Sequence, residues 1–186
     1  MAIDDTLKEA EHKMTRAGEV TREEFSGIRT GRATPAIVNR VMVDYYGTPT
    51  PLNQLASMSV PESRVLMIQP FDPNSVSAIE KALMQSDLGL TPSNDGNVIR
   101  LVFPQLTEER RKELIRVVRE RAEEGRVSVR NVRRHAKDEM ERLQKEGEIS
   151  EDELVRAEKE LQDKTDKHVA EIDELLQRKE QELMEV

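Results

Sequence analysis

"VRERAEEGRVSVRNVRRHAK", Val118 to Lys137, is the stretch on which the fold turns. Read as a helix, it places Val118, Ala122, Val129, Val132 and Ala136 at steps of three, four or seven, so they share one apolar stripe that should be buried. Arg119, Arg126, Arg130, Arg133 and Lys137 follow the same steps. They are turned roughly 100° from the stripe, the angle by which one residue advances an α-helix. The spacing therefore predicts a long amphipathic helix whose cations line one exposed flank.

Composition does not explain such a row, because the 186-residue chain is acidic, with formal net charge -8. Residues 110–137 hold eleven Lys or Arg against four Glu, a balance of +7, whereas residues 138–186 hold eight against eighteen, a balance of -10. This polarisation implies a directional contact with something anionic, nucleic acid above all. A charge run on a long helix is otherwise a solvated face laced with ion pairs at i+3 or i+4. Between Gly125 and Lys137 there is no acid to make those pairs, which favours a binding face. Arg110 and Arg134 extend the basic surface.

Toward the N-terminus, Ile3, Leu7, Ala10, Met14, Ala17, Thr21, Phe25 and Ile28 repeat at threes and fours and predict a long first helix. "TGRATP", residues 30–35, should end it, since Gly31 permits left-handed backbone and Pro35 disfavours helix at the residue before it. Arg29 and Arg32 flank that break. From Ile37 to Pro104 the pattern changes to short β-rich runs. "IVNRVMVDYY", "RVLMIQPF" and "NVIRLVF" read as strands, and "LNQLASMSV" as a weaker one. "NSVSAIEKALMQSDLG" reads as a helix capped by Asn74 or Ser75, with Val76, Ile79, Leu83 and Leu88 inward and Gly89 at its left-handed end. "SNDG", Ser93 to Gly96, reads as a turn.

Beyond Pro104, Thr107 should cap a helix that runs to about Glu146, with Gly147 as its stop. Ser150 and Glu153 in "EISEDEL" form a capping-box pattern for a last helix, whose seam is Leu154, Ala157, Leu161, Thr165, His168, Ile172 and Leu175. None of the three long helices can bury its stripe alone, so they should pack together. The predicted class is α+β: an elongated antiparallel three-helix bundle from residues 1–30 and 105–186, with a small β/α/β domain, residues 31–104, inserted. Two crossings side by side predict a hinge at Gly31, Ala33, Thr34 and Pro35 and at Phe103, Pro104 and Gln105.

The absence of Cys removes disulfides, thiolate zinc sites and cysteine nucleophiles, and fits a reducing compartment. The acidic start "MAIDDTLKEAEHKM" is unlike a secretory leader and no run approaches 18 apolar residues, so a soluble cytoplasmic protein is expected. There is no phosphate-cradling glycine loop followed by Lys-Ser or Lys-Thr and no G-x-S-x-G elbow. His12, His135 and His168 are not spaced as a metal pair, and His168 reads as a core residue. No enzymatic activity, cofactor or metal is predicted. Aromatics are only 3%, so stacking of single-stranded bases is disfavoured. Tyr45 and Tyr46 should point to opposite faces of their strand. An arginine-lined helix suits the phosphates and shape of a folded RNA.

Six stretches together resemble the bacterial ribosome recycling factors: "IRTGRA" (28–33), "VDYYGTPTPLNQLAS" (43–57), "SDLGL" (86–90), "LTEERRKEL" (106–114), "VSVRNVRR" (127–134) and "EISEDEL" (148–154). They run from end to end in family order. The resemblance implies an L-shaped, tRNA-like outline and a monomer that binds the post-termination ribosome through large-subunit rRNA. It further implies subunit splitting together with elongation factor G, which supplies the GTP hydrolysis. The family's RNA-contacting arginines fall on Arg130 and Arg133, with Arg29 and Arg32 at the bundle tip. Two alternatives stand beside it. In a basic-region coiled-coil DNA binder the apolar seam begins after the basic part, whereas here Val129, Val132 and Ala136 run through it. A helical RNA-binding adaptor without splitting activity, or a purely structural bundle, would differ in its behaviour with ribosomes.

Overall fold

The computed structural model describes residues 2–185. It divides into two compact units, Met1–Arg29 with Glu108–Val186, and Thr30–Thr107.

The first unit consists of α1 (Ala2–Ser26), α3 (Glu108–Lys145) and α4 (Glu151–Met184), each packed on the other two. Ser150 accepts from the Glu153 N–H while the Glu153 carboxylate accepts from the Ser150 N–H, so the capping box starts α4. Gly147, at φ +77, turns the chain between α3 and α4. The fully buried centre is formed by Met14 of α1, Val118, Ala122, Val129 and Met140 of α3, and Ile172 of α4. Val132, expected in this seam, is only half-buried beside an open groove between α1 and α3, and Gly125 is buried instead. The reason is contact distance. A Cβ on Gly125 would lie 2.4 Å from Thr21 Oγ1 and 3.2 Å from Ile172 Cδ1, so hydrogen is the only side chain that fits where the three helices meet. Ile28 lies past the end of α1 and Leu154 and Leu175 are half-buried, so the stripes are shorter than their periodicity.

His168 is buried in this core as read. Its Nδ1 is 3.3 Å from a Glu171 carboxylate oxygen and its Nε2 has no partner, so it is only partly satisfied.

In the second unit, β1 (Met42–Tyr45) and β2 (Thr48–Pro51) form an antiparallel hairpin. β3 (Ala56–Glu62), β4 (Val65–Pro70), β5 (Pro92–Asn94) and β6 (Ile99–Val102) form an antiparallel sheet in the order β3-β4-β6-β5. Val43, Leu66, Ile68, Ile99, Leu101 and Ile79 of α2 (Val76–Gln85) share its core. Several readings are corrected here. The run from Ile37 does not begin as strand, because Pro35–Ile37 forms a 3-10 turn capped by Thr34. "TPTP", which falls in none of the expected strand runs, is β2, since a strand with only one neighbour tolerates the missing proline donors. Part of "SNDG" is strand β5. Neither Asn74 nor Ser75 caps α2 by its side chain; the Asp72 carboxylate accepts from Asn74 N–H and caps the 3-10 turn Pro73–Ser75 that leads into it. Tyr45 and Tyr46 do not diverge, because Tyr46 leaves the strand at the hairpin turn with φ +50.

Candidate nucleic-acid interface

The cation row lies on the flank of α3 that borders α4. As positions rise along α3 their partners fall along α4, so the two helices run antiparallel. Arg119 pairs with Glu180, Arg126 Nη1 lies 2.6 Å from Asp173, Arg133 Nη1 donates to Gln162 Oε1 at 2.8 Å, and Lys137 Nζ lies 3.5 Å from Glu158. The flank is exposed at Arg119, Arg130 and Lys137 as expected, but the expectation that no acid pairs with its cations is corrected, because the acids come from α4 and from Glu123. Glu123, three and seven residues before the two arginines it meets, adds contacts with Arg126 at 2.8 Å and Arg130 at 3.3 Å.

Arg126 is the most enclosed member, its side chain 18% exposed between Glu123 and Asp173. Burial opposes its charge, but the hydrogen bonds to Glu123 and Asp173 prevail and hold its pKa above the ordinary arginine value. The bond from Arg126, followed by attraction to Arg126 and Arg130, holds the Glu123 carboxyl below its usual range. Arg126 thus fastens α3 to α4. Arg126→Ala should lower stability by about 1 kcal/mol through lost stem packing and ion pairs, with thermal denaturation as the measurement; an unchanged midpoint would remove this structural role.

The exception in the row is Arg133. Where α4 offers carboxylates to Arg119, Arg126 and Lys137, it offers Arg133 the neutral amide of Gln162, whose own Nε2 donates to Asp166 at 2.8 Å. The Arg133 charge is left uncancelled, and its Nε is buried without a partner. One turn away, Arg130 is half exposed and donates to the Glu123 carboxylate at 3.3 Å, and exposed Arg134 donates to the neutral Asn131 oxygen at 3.3 Å. Arg130, Arg133 and Arg134, beside the exposed apolar Val127, form the segment able to receive phosphates.

The remaining sequence-predicted residues lie elsewhere. Arg110 is exposed in the first turns of α3 and pairs with Glu113 at 2.8 Å. Arg29 ends the first unit and Arg32, exposed, opens the second, so the two do not share one unit. Of the crossing residues, Ala33 and Phe103 are buried in the core of the second unit, where Ala33 N–H donates to Ser63 O at 2.8 Å and Phe103 N–H to Arg64 O at 2.7 Å. Thr34 and Pro35 belong to the capped 3-10 turn, while Pro104 and Gln105 are exposed. Gly31 has φ +77, and a Cβ there would meet Leu106 Cγ at 3.3 Å. Gln162, Glu123 and Asp173 were not visible as interface residues from sequence. Their only signal was a position three residues before Arg126 for Glu123, and none for the two on α4.

A family profile described as ribosome recycling factor matches residues 21–184. The chain belongs to that family. Among relatives, a ribosome-recycling factor of Kineococcus radiotolerans is 62% identical over 130 residues, 70% of each chain. One from Frankia casuarinae is 59% identical over the same length and coverage. The solution structure of a ribosome recycling factor matches the fold with TM-score 0.78 at 47% identity, covering 100% of this chain and 99% of the other. A second structure, of the T. thermophilus ribosome recycling factor with E. coli elongation factor G on the E. coli post-termination complex, matches with TM-score 0.68 at 47% identity and full coverage of both chains. The α+β architecture, long helices plus a small β unit, is that of the family. Among the described residues, no helix is long and apolar enough to cross a membrane and no cluster of metal-ligating side chains occurs.

Proposed function

We propose that this chain recycles ribosomes after termination, binding large-subunit rRNA through Arg130, Arg133 and Arg134 and acting with elongation factor G to split the subunits. The observation that carries the reading is the neutral Gln162 opposite Arg133, which keeps one guanidinium uncancelled amid acid-paired cations. Full-length similarity to a recycling factor described on a post-termination complex supports the setting. The protein itself is a binding factor, and the chemistry of GTP belongs to its partner. Isothermal calorimetry should therefore register no GTP binding to the isolated chain, and cosedimentation with large subunits should weaken as salt rises, as counterion release requires. Binding of GTP at micromolar affinity would overturn the first expectation, and salt-independent sedimentation the second.

We further propose that the second unit swings on its crossings during splitting. Ala33 and Phe103 being locked in its core, the torsions available are those of Thr30 to Arg32 and Pro104 to Thr107. The chain has no Cys, so one introduced in each unit can carry a fluorescent donor and acceptor. Energy transfer should change when elongation factor G joins the ribosome-bound protein; constant transfer through a productive splitting reaction would remove the hinge.

A further inference from the structure

Only five residues of the chain are aromatic, and their placement is uneven. Phe25 and Phe103 are buried in their cores, whereas Tyr46 and Phe71 are 77% and 69% exposed. The Tyr46 ring sits at Asp72, and Phe71 is the residue next to Asp72 in the chain. Asp72 Oδ2 accepts from the hydroxyls of Tyr45 and Tyr46, each at 3.2 Å. The Tyr45 and Tyr46 rings meet edge to face with centroids 4.6 Å apart.

The backbone adds a second, independent observation. Tyr46 and Gly47 have φ +50 and +80 between the paired residues Tyr45 and Thr48, a two-residue turn of the mirror-image type. The first position of that turn favours Asn or Asp, and among the described residues Tyr46 is the only non-glycine with positive φ. A strained conformation that exposes a large ring, when a small polar residue would relieve both, marks a surface with a use.

We propose that Tyr46, Phe71 and Asp72 form a docking cradle for an arginine or lysine side chain of a protein partner. A cation is attracted to the face of an aromatic ring, and the Asp72 carboxylate adds charge of the right sign. The Asn74 N–H, with the two tyrosine hydroxyls, holds the Asp72 carboxyl below its usual range, so it stays ionised at neutral pH. Charge argues against RNA here: residues 30–107 carry five Lys or Arg against six Asp or Glu, in contrast to the surplus of positive charge on α3. The cradle therefore complements a basic protein segment met during the reaction assigned above, on which this inference rests.

A photo-crosslinking phenylalanine analogue in place of Tyr46, in the full chain with purified post-termination ribosomes, elongation factor G and GTP, reads the occupant. The expected adduct is a peptide containing Arg or Lys; an adduct with rRNA alone, or none, overturns the proposal. Tyr46→Asn, which suits the turn and keeps the fold, should leave the melting temperature equal or higher. It should raise the concentration of protein needed for half-maximal splitting roughly fivefold. Tyr46→Phe, keeping the ring, should stay near wild type. Wild-type splitting by Tyr46→Asn overturns the proposal. The underlying functional reading fails differently, through wild-type protein that does not sediment with ribosomes.

Discussion

Gly125→Val should destabilise the helical unit by about 3 kcal/mol, lowering the thermal midpoint by roughly 6–12 °C. Glycine inside a 38-residue helix is unfavourable by itself, costing about 1 kcal/mol relative to alanine. Its presence there is explained by the 2.4 Å that would separate a Cβ from Thr21 Oγ1. Thr21 cannot yield freely, because it is buried and its hydroxyl donates to the Ala17 carbonyl at 3.0 Å. Ile172 Cδ1 closes the other side at 3.2 Å. A valine adds two methyl groups to the same point, so α1 or α4 must move away and the neighbouring seam loses contact. The milder Gly125→Ala should destabilise less, since better helix propensity offsets part of the clash. Combining it with Thr21→Ala removes the oxygen in the way, so the double variant should be more stable than the separate effects add up to. A Gly125→Val protein that melts with wild type would show that the helices do not approach as closely as described.

The second large effect concerns binding. Arg133→Ala should weaken association with large subunits by about 1–3 kcal/mol, up to roughly a hundredfold, and reduce the log-log salt slope by about one. Gln162→Glu tests the physical cause without touching the arginine. It places a carboxylate where the Arg133 guanidinium now meets a neutral amide at 2.8 Å, making this position like those of Arg119 and Arg126. A loss comparable to that of Arg133→Ala is expected, with the fold unchanged by circular dichroism. Arg119→Ala, whose charge Glu180 already balances, should do less. Cosedimentation across a salt series is the measurement, and full binding by both Arg133→Ala and Gln162→Glu would remove Arg133 from the interface.

The features that were legible in the amino-acid order are those whose causes lie within a few residues. The Ser150 and Glu153 capping box, the left-handed Gly147, the helical steps from Leu7 to Phe25 and the cation row from Arg119 to Lys137 all follow from local spacing. The six family stretches likewise stand in the sequence as written. What the order of residues left open was who meets whom. Arg119 and Glu180 are 61 positions apart and Arg133 and Gln162 are 29, so the row could be counted but its neutralisation could not. The same holds for Gly125, a glycine without a reason inside its helix until Thr21 and Ile172 are seen beside it, and for Tyr46, a strand residue until the hairpin turns it toward Asp72. Periodicity says which side of a helix is buried because that depends on one helix alone. Which charges remain free, and where a side chain has no room, depend on the distances between helices, and those exist only once the chain has packed.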